Sequence, residues 1–220
     1  MHEIAIKSDV LSENALLAHH NREHFHAHGV YVLNLMSGPG AGKTTLLERT
    51  IDALRARHRL AVIEGDVQGR ADADRIGRCG VPVVQINTGN ACHLDARMVH
   101  RELERIDLGH LDVLLIENVG NLVCPAEFDL GEHDKAMILS VTEGHDKPDK
   151  YPVMFHVARA LVLSKIDLLP HVDFDVERAT RAARAMNLDL EVIPLSAKTG
   201  VGVDGWLVWL EGRIARAKAR

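Results

Sequence analysis

Eight residues constrain this chain more than any others: Gly38-Pro-Gly-Ala-Gly-Lys-Thr-Thr45, set between the apolar run 30–36 and a segment with Leu46, Leu47, Ile51 and Leu54 at helical spacing. A glycine-rich turn from a buried strand into a helix lets backbone N–H groups converge on phosphate oxygens, and the helix N-terminus adds positive potential. Gly38, Gly40, Ala41 and Gly42 form the cradle. Lys43 is placed for the β- and γ-phosphates, and the Thr44 hydroxyl, with Thr45 beside it, for Mg²⁺. The strict pattern has glycine five residues before Gly42, where this chain has Ser37.

The rest of the chain reads as the fold such a loop requires. Apolar runs at 60–64, 81–87, 112–117, 136–141, 160–164 and 191–194 alternate with helical segments at 72–79, 95–106, 177–186 and 205–220. The P-loop helix is expected to run to about His58. Short apolar strands alternating with helices predict an α/β P-loop fold, a mostly parallel sheet covered by helices on both faces. Residues 1–28 read as a polar N-terminal helical arm stopped by Gly29, with Val10, Ala15, Leu16, Leu17 and Phe25 as its apolar positions. Residues 29–220 read as one P-loop domain, since 220 residues leave little room for two.

Composition removes several function classes. A net charge of −5 disfavours nucleic acid as the main ligand, and 4% aromatic residues give little for base stacking. No apolar run is long enough to span a bilayer, and no signal peptide is apparent. Three cysteines do not make a disulfide framework and fit a reducing cytoplasm.

A P-loop needs an acidic residue to hold its metal, usually at a strand end. Glu117, closing Asp-Val-Leu-Leu-Ile-Glu, is one candidate; Asp66, just past the second strand and placed like a first switch, is the other. The bland reading of Asp66 is a turn or capping aspartate. Ser164-Lys-Ile-Asp167 and Ser196-Ala-Lys198 close two late strands. Asp167 is suited to accept from the ring N–H and amine of guanine, the Lys165 stem to lie along the ring, and the Ala197 N–H to donate to the guanine carbonyl. Adenine supplies no such pattern, so GTP/GDP is expected over ATP. Ser164, standing where such motifs carry Asn, leaves one supporting hydrogen bond open.

Cys92 and His93 follow the third strand and Cys124 lies seven residues after Glu117. Two thiols and an imidazole suit Zn²⁺ or Ni²⁺, although loop cysteines beside a solvated histidine would give the same spacing. If they meet, a segment pulled by the γ-phosphate, pivoting at Gly120, would move a metal ligand. Cys79 reads as a packed thiol. His19, His20, His24, His26 and His28 on the arm read as a polar face that uses histidine, or as a weak metal tract.

These motifs, with Gly65-Asp-Val-Gln, Asn87-Thr-Gly-Asn-Ala-Cys-His-Leu-Asp95, Glu117-Asn-Val-Gly-Asn-Leu-Val-Cys-Pro-Ala-Glu-Phe-Asp-Leu-Gly-Glu132 and Asp146-Lys-Pro-Asp-Lys-Tyr-Pro152, resemble the HypB family of hydrogenase nickel-incorporation GTPases, within the SIMIBI P-loop class. The resemblance runs from about residue 10 to the C-terminus. It implies a cytoplasmic GTPase that forms a nucleotide-dependent homodimer and helps deliver Ni²⁺ to [NiFe]-hydrogenase. It implies Cys92, His93 and Cys124 as ligands for Ni²⁺ or Zn²⁺, and Thr44, Asp66 and Glu117 around Mg²⁺. A small nickel-binding accessory protein and the hydrogenase large-subunit precursor are the implied partners. Some members carry an N-terminal Cys-rich nickel motif; no cysteine precedes Cys79 here, so delivery from an N-terminal thiol site is not expected. Hydrolysis is expected to be slow, since no arginine finger is identifiable; Lys147 or Lys150 of a partner could supply a cation. Alternatives are a metal carrier with vestigial GTPase activity and a urease-type nickel GTPase, the latter disfavoured by the 117–132 run.

Overall fold

Seven runs rich in branched apolar residues form seven parallel strands, and the computed structural model describes residues 2–219, with side chains from Val10 onward. The strands are β1 (Tyr31–Ser37), β2 (Leu60–Asp66), β3 (Val83–Asn87), β4 (Val113–Glu117), β5 (Asp134–Ser140), β6 (Ala160–Ser164) and β7 (Glu191–Pro194), in the order β3-β2-β4-β1-β5-β6-β7. Every pairing is parallel. Strands buried on both faces read as near-continuous apolar runs, and β1, β4 and β6 are buried along their whole length.

Side chains alternate across the sheet with period 2. Tyr31, Leu33 and Leu35 of β1 pack with α2 (Lys43–Leu54), α3 (Ala71–Gly77) and α9 (Val203–Lys218), through Leu47, Ile51, Ile76, Trp206, Leu210 and Ile214. Val32 points to the opposite face, where α1 (His2–Ala27) and α4 (Ala96–Leu103) contribute Phe25, Val99 and Leu103. Farther along that face Met137 and Leu139 meet α7 (Pro152–Val157) and α8 (Val176–Met186) through Met154, Phe155, Ala179 and Ala183. Each large apolar side chain so buried contributes roughly 1.5–3 kcal/mol. Polar pins fix α9: Arg213 makes a two-pronged pair with Asp134 at 2.8 and 2.7 Å, and Trp206 donates to Thr50 at 2.9 Å.

The arm is the helix read from the sequence. Of the apolar positions named on it, only Phe25 is buried, while Val10, Ala15 and Leu16 are exposed and Leu17 is half-exposed. The buried stripe is Asn14, Ala18, Asn21 and Phe25, at the i, i+4, i+7, i+11 spacing of one helix face. Two of the four are amides because the arm docks on backbone. Asn14 donates to Asp129 O and accepts from Ala96 N, both at 2.8 Å, and Asn21 donates to Ala96 O at 2.9 Å and Leu130 O at 3.1 Å. Gly131, at φ +93°, lies so close to α1 that a Cβ would stand 2.7 Å from Ala18 O and the Asn21 Cβ. Three short helices went unread: α5 (Cys124–Glu127), α6 (Lys147–Lys150) and α7. The P-loop helix stops at Leu54 rather than near His58. No helix of the described residues is long and apolar enough to cross a membrane.

Candidate nucleotide and metal sites

The C-terminal edge of the parallel sheet collects the predicted site residues, as open α/β sheets do. Gly42 opens α2 at φ +103° and Gly40 bends the loop at φ +71°, backbone that only glycine adopts without strain. Lys43, buried at the first turn, donates to Ser37 Oγ at 3.0 Å. Burial lowers its pKa, opposed chiefly by Glu117. Ser37, in place of the expected glycine, thus holds the lysine at the loop.

Thr44 Oγ1 donates to Glu117 Oε1 at 2.9 Å. The other carboxylate oxygen, Oε2, is buried without a hydrogen-bond partner. Beside it stands a residue the sequence reading missed. Glu64 of β2 is in register with Glu117 of β4, both are 3% exposed, and Glu64 Oε2 is also buried and unpartnered. Two such oxygens next to a threonine hydroxyl fit a hard divalent cation such as Mg²⁺, which takes carboxylate and hydroxyl ligands. Asp66 lies differently: its carboxylate accepts from Val67 N and Gly69 N, both at 2.7 Å. In this conformation it closes a turn, the bland reading, and the structure does not bring it to Thr44.

Burial, with Glu117 and Asp66 adding repulsion, pushes the Glu64 carboxyl up to about 8 from an ordinary 4.5. Burial lifts Glu117 to about 7 against the pull of Lys43 and Thr44. A raised carboxyl pKa means the folded chain holds a proton that the unfolded chain has released. Stability of the metal-free protein therefore falls as pH rises from 4.5 toward 8, by up to about 1.4 kcal/mol per pH unit for each such group. His133, held down near 4 mainly by burial, slopes the opposite way below 6.5. Glu64→Gln removes one slope and leaves the other. Urea unfolding between about pH 5.5 and 7.5 is therefore expected to show a pH slope about 1 kcal/mol per unit shallower in the variant; parallel slopes would refute the assignment.

A second cavity, about 300 Å³, is lined by Gly42, Ser164, Lys165, Asp167, Ser196 and Ala197 among others. It is built by three local devices. Lys165 sits at φ +61°, the left-handed region, and its Nζ donates to Gly40 O at 2.6 Å, so the stem lies across the P-loop. Ser164 Oγ donates to Ala41 O at 2.6 Å, which supplies a hydrogen bond between β6 and the P-loop without Asn. Arg49 of α2, also missed, reaches Ala197 O at 3.0 Å and Lys198 O at 3.2 Å and holds the 196–198 loop against the helix. Asp167 Oδ1 is buried with no partner. It is an acceptor available to a ring N–H.

The two cysteine loops do meet. Cys92 Sγ stands 2.9 Å from Cys124 Sγ and 3.7 Å from His93 Nδ1, and donor atoms of the three residues all lie within 4.8 Å of one another. Both cysteines are free, Cys92 exposed and Cys124 half-buried at the first position of α5. Burial and the contact with Cys92 push the Cys124 thiol up to about 11. Burial lowers the His93 pKa, which favours the neutral imidazole, and the ring centroids of His93 and Phe128 are 3.8 Å apart. Loading a cation here must expel thiol protons, so its affinity rises with pH.

One side chain joins the two sites. Asn118, next to Glu117 and 1% exposed, accepts from Leu94 N at 3.0 Å, one residue past His93, and donates to Asn34 Oδ1 at 3.2 Å. Leu94 is fully buried against Gly65, where a Cβ would lie 2.7 Å from its side chain. Gly65 in turn separates Glu64 from Asp66. Gly120, expected as a pivot, lies close to the P-loop: a Cβ there would be 3.0 Å from Pro39. Lys147 lies over the Tyr151 ring and Lys150 pairs with Asp146 on the surface. Cys79 is a half-buried thiol against the core, as read.

Residues 31–194 match the family model described as "CobW/HypB/UreG, nucleotide-binding domain". Over 218 residues the chain is 56% identical to hydrogenase maturation factor HypB of Azotobacter vinelandii, covering 99% of this chain and 72% of that protein. The crystal structure of HypB from Archaeoglobus fulgidus superposes with a TM-score of 0.87 at 40% identity, covering 92% of this chain and 99% of that one. HypB from Helicobacter pylori in complex with nickel superposes with a TM-score of 0.88 at 36% identity, covering 93% and 96%.

Proposed function

Since the chain belongs to the HypB family of hydrogenase maturation factors, we propose that it hydrolyses GTP to GDP and phosphate and uses the nucleotide to control a Ni²⁺ or Zn²⁺ ion held by Cys92, His93 and Cys124. The observation that carries this reading is Asn118, whose backbone continues from Glu117 and whose side chain holds Leu94 N beside His93.

In the proposed mechanism, backbone N–H groups of residues 38–43 cradle the phosphates of GTP while Lys43 neutralises charge on the β,γ-bridge and γ-oxygens. Asp167 accepts from the guanine ring N–H and amine, Lys165 covers the base, and Ala197 N–H meets its carbonyl. Thr44, Glu117 and Glu64 are the residues that would hold Mg²⁺, with Asp66 joining once its turn opens; the ion, when bound, neutralises phosphate charge and orients water. Water attacks the γ-phosphorus, the bond to the β-phosphate oxygen breaks, and GDP and phosphate leave. Lys43 is the one cation among the described residues that we assign to the phosphates, so turnover is slow, and a second copy in a nucleotide-dependent homodimer is the source we favour for a further charge.

Burial disfavours charge on Glu117 and Glu64, and a bound cation favours their ionised forms, so in this reading Thr44 and the 117–120 segment rearrange when cation and nucleotide arrive. Asn118 transmits that movement to Leu94 and hence to Cys92 and His93. The delivery target is a [NiFe]-hydrogenase precursor, reached with a nickel-binding accessory protein. The carrier alternative, with vestigial hydrolysis, predicts delivery without turnover. Phosphate release from GTP with Mg²⁺ separates the two readings. We expect Lys43→Ala to cut it at least about 100-fold and to abolish hydrogenase activation in a nickel-delivery assay. Delivery by Lys43→Ala at the parental rate would leave only the carrier.

A further inference from the structure

Outside the Cys92 site, three histidines from two helices come together: His20 and His24 on α1 and His100 on α4. Their ring centroids are 4.6 Å (His20–His24), 5.1 Å (His20–His100) and 6.3 Å (His24–His100) apart. Three imidazoles on one ion at about 2.0–2.1 Å place their centroids roughly 4.5–5 Å apart. The first separation lies in that range, the second is just beyond it, and the third must shorten by more than 1 Å. His20 is exposed and His24 half-buried, so their rings are free to turn by that much.

The hydrogen bonding sets His100 as a ligand. Asn21 uses its amide hydrogens on Ala96 O and Leu130 O, so its Oδ1 faces His100 Nδ1 at 2.9 Å as an acceptor only. A neutral His100 then donates from Nδ1, which leaves the Nε2 lone pair available to an ion. This is the outer-shell bond that fixes tautomer and ring orientation in metal-binding histidines. Burial and the neighbouring His20 and His100 also lower the His24 pKa.

We propose that His20, His24 and His100 form a second site for a late divalent transition-metal ion, distinct from Cys92, His93 and Cys124. Neutral imidazoles without thiolate suit Ni²⁺, Zn²⁺ and Cu²⁺. An ion there ties the arm to the helix that follows the Cys92 loop, adding to the Asn14 and Asn21 bonds. It gives the arm histidines a defined function beyond a polar face.

The test uses the full chain carrying Cys92→Ser and Cys124→Ser, titrated with Zn²⁺ and with Ni²⁺ against a chromophoric chelator. One equivalent should bind, and adding His100→Gln should weaken it at least about 10-fold, with His26→Gln, a histidine outside the cluster, leaving it unchanged. Circular dichroism checks the fold; should His100→Gln unfold, His24→Gln on the accessible face of α1 must show the same loss. Absence of any bound equivalent in the double-serine chain overturns the proposal. So does binding that His20→Gln and His24→Gln remove but His100→Gln does not, since that marks a tract on the arm alone.

Discussion

Asp167→Asn is expected to lower GTP affinity by roughly 1,000-fold or more and to make xanthosine triphosphate the preferred nucleotide. Asp167 Oδ1 is buried in the 300 Å³ cavity with nothing to accept from, and a buried acceptor without a donor costs free energy until a ligand supplies one. Guanine presents two donors on that edge, its ring N–H and its amine. An asparagine amide would face them with its own N–H₂, donor against donor, in a water-poor pocket. Sites built on such paired contacts reject a mismatched partner by about 10⁴–10⁵. Xanthine carries a carbonyl in place of the amine, so the same amide would find an acceptor. Equilibrium competition between the two nucleotides reads the effect directly. Equal GTP affinity in parent and variant would remove Asp167 from base recognition and with it the reason for preferring GTP to ATP.

The second large effect concerns the thiols. Cys92 and Cys124 each bring a soft donor that serine cannot replace for Ni²⁺ or Zn²⁺. Their sulfurs already stand 2.9 Å apart, so little reorganisation is needed to close on an ion. Changing both to serine is expected to lower affinity for the tight equivalent at least about 100-fold and to erase thiolate-to-nickel charge-transfer absorption. The thiol protons, with Cys124 pushed up to about 11, must leave on loading. The parent should therefore release protons on binding and the double variant should not. Retention of tight binding and of the absorption band would place the ion elsewhere.

What the sequence disclosed follows from how local each signal is. The strands and the phosphate loop were legible because their apolar runs and glycines act within a few residues, and Ser164, Lys165 and Asp167 because they end a strand. Cys92, His93 and Cys124 were joined by the family resemblance; their spacing alone does not join them, since the sheet brings the β3 and β4 loops together. Glu64 was hidden inside an apolar run and becomes a site residue only through its register with Glu117. The arm was legible as a helix and Phe25 as an apolar position, but its amide anchors were not: Asn14 and Asn21 recognise backbone of the 96 and 129–130 segments, and hydropathy carries no trace of that. The helices α5, α6 and α7 have four to six residues, shorter than two turns, and no 3.6-residue period can be read over such a length. Asn118 and Leu94, which connect the two sites, look like ordinary loop residues until their hydrogen bond is seen.

That connection is the centre of the account, and it is tested most directly by measuring the Ni²⁺ and Zn²⁺ dissociation constants of the purified chain with GDP and with a non-hydrolysable GTP analogue, the double-serine variant giving the binding outside the Cys92 site to be subtracted. Coupling through Asn118 predicts constants that differ between the two nucleotide states by about 5- to 150-fold, the usual range for linked sites. Identical constants in both states would show that the nucleotide and the Cys92 site do not communicate, and the proposed control of the metal by GTP would be wrong.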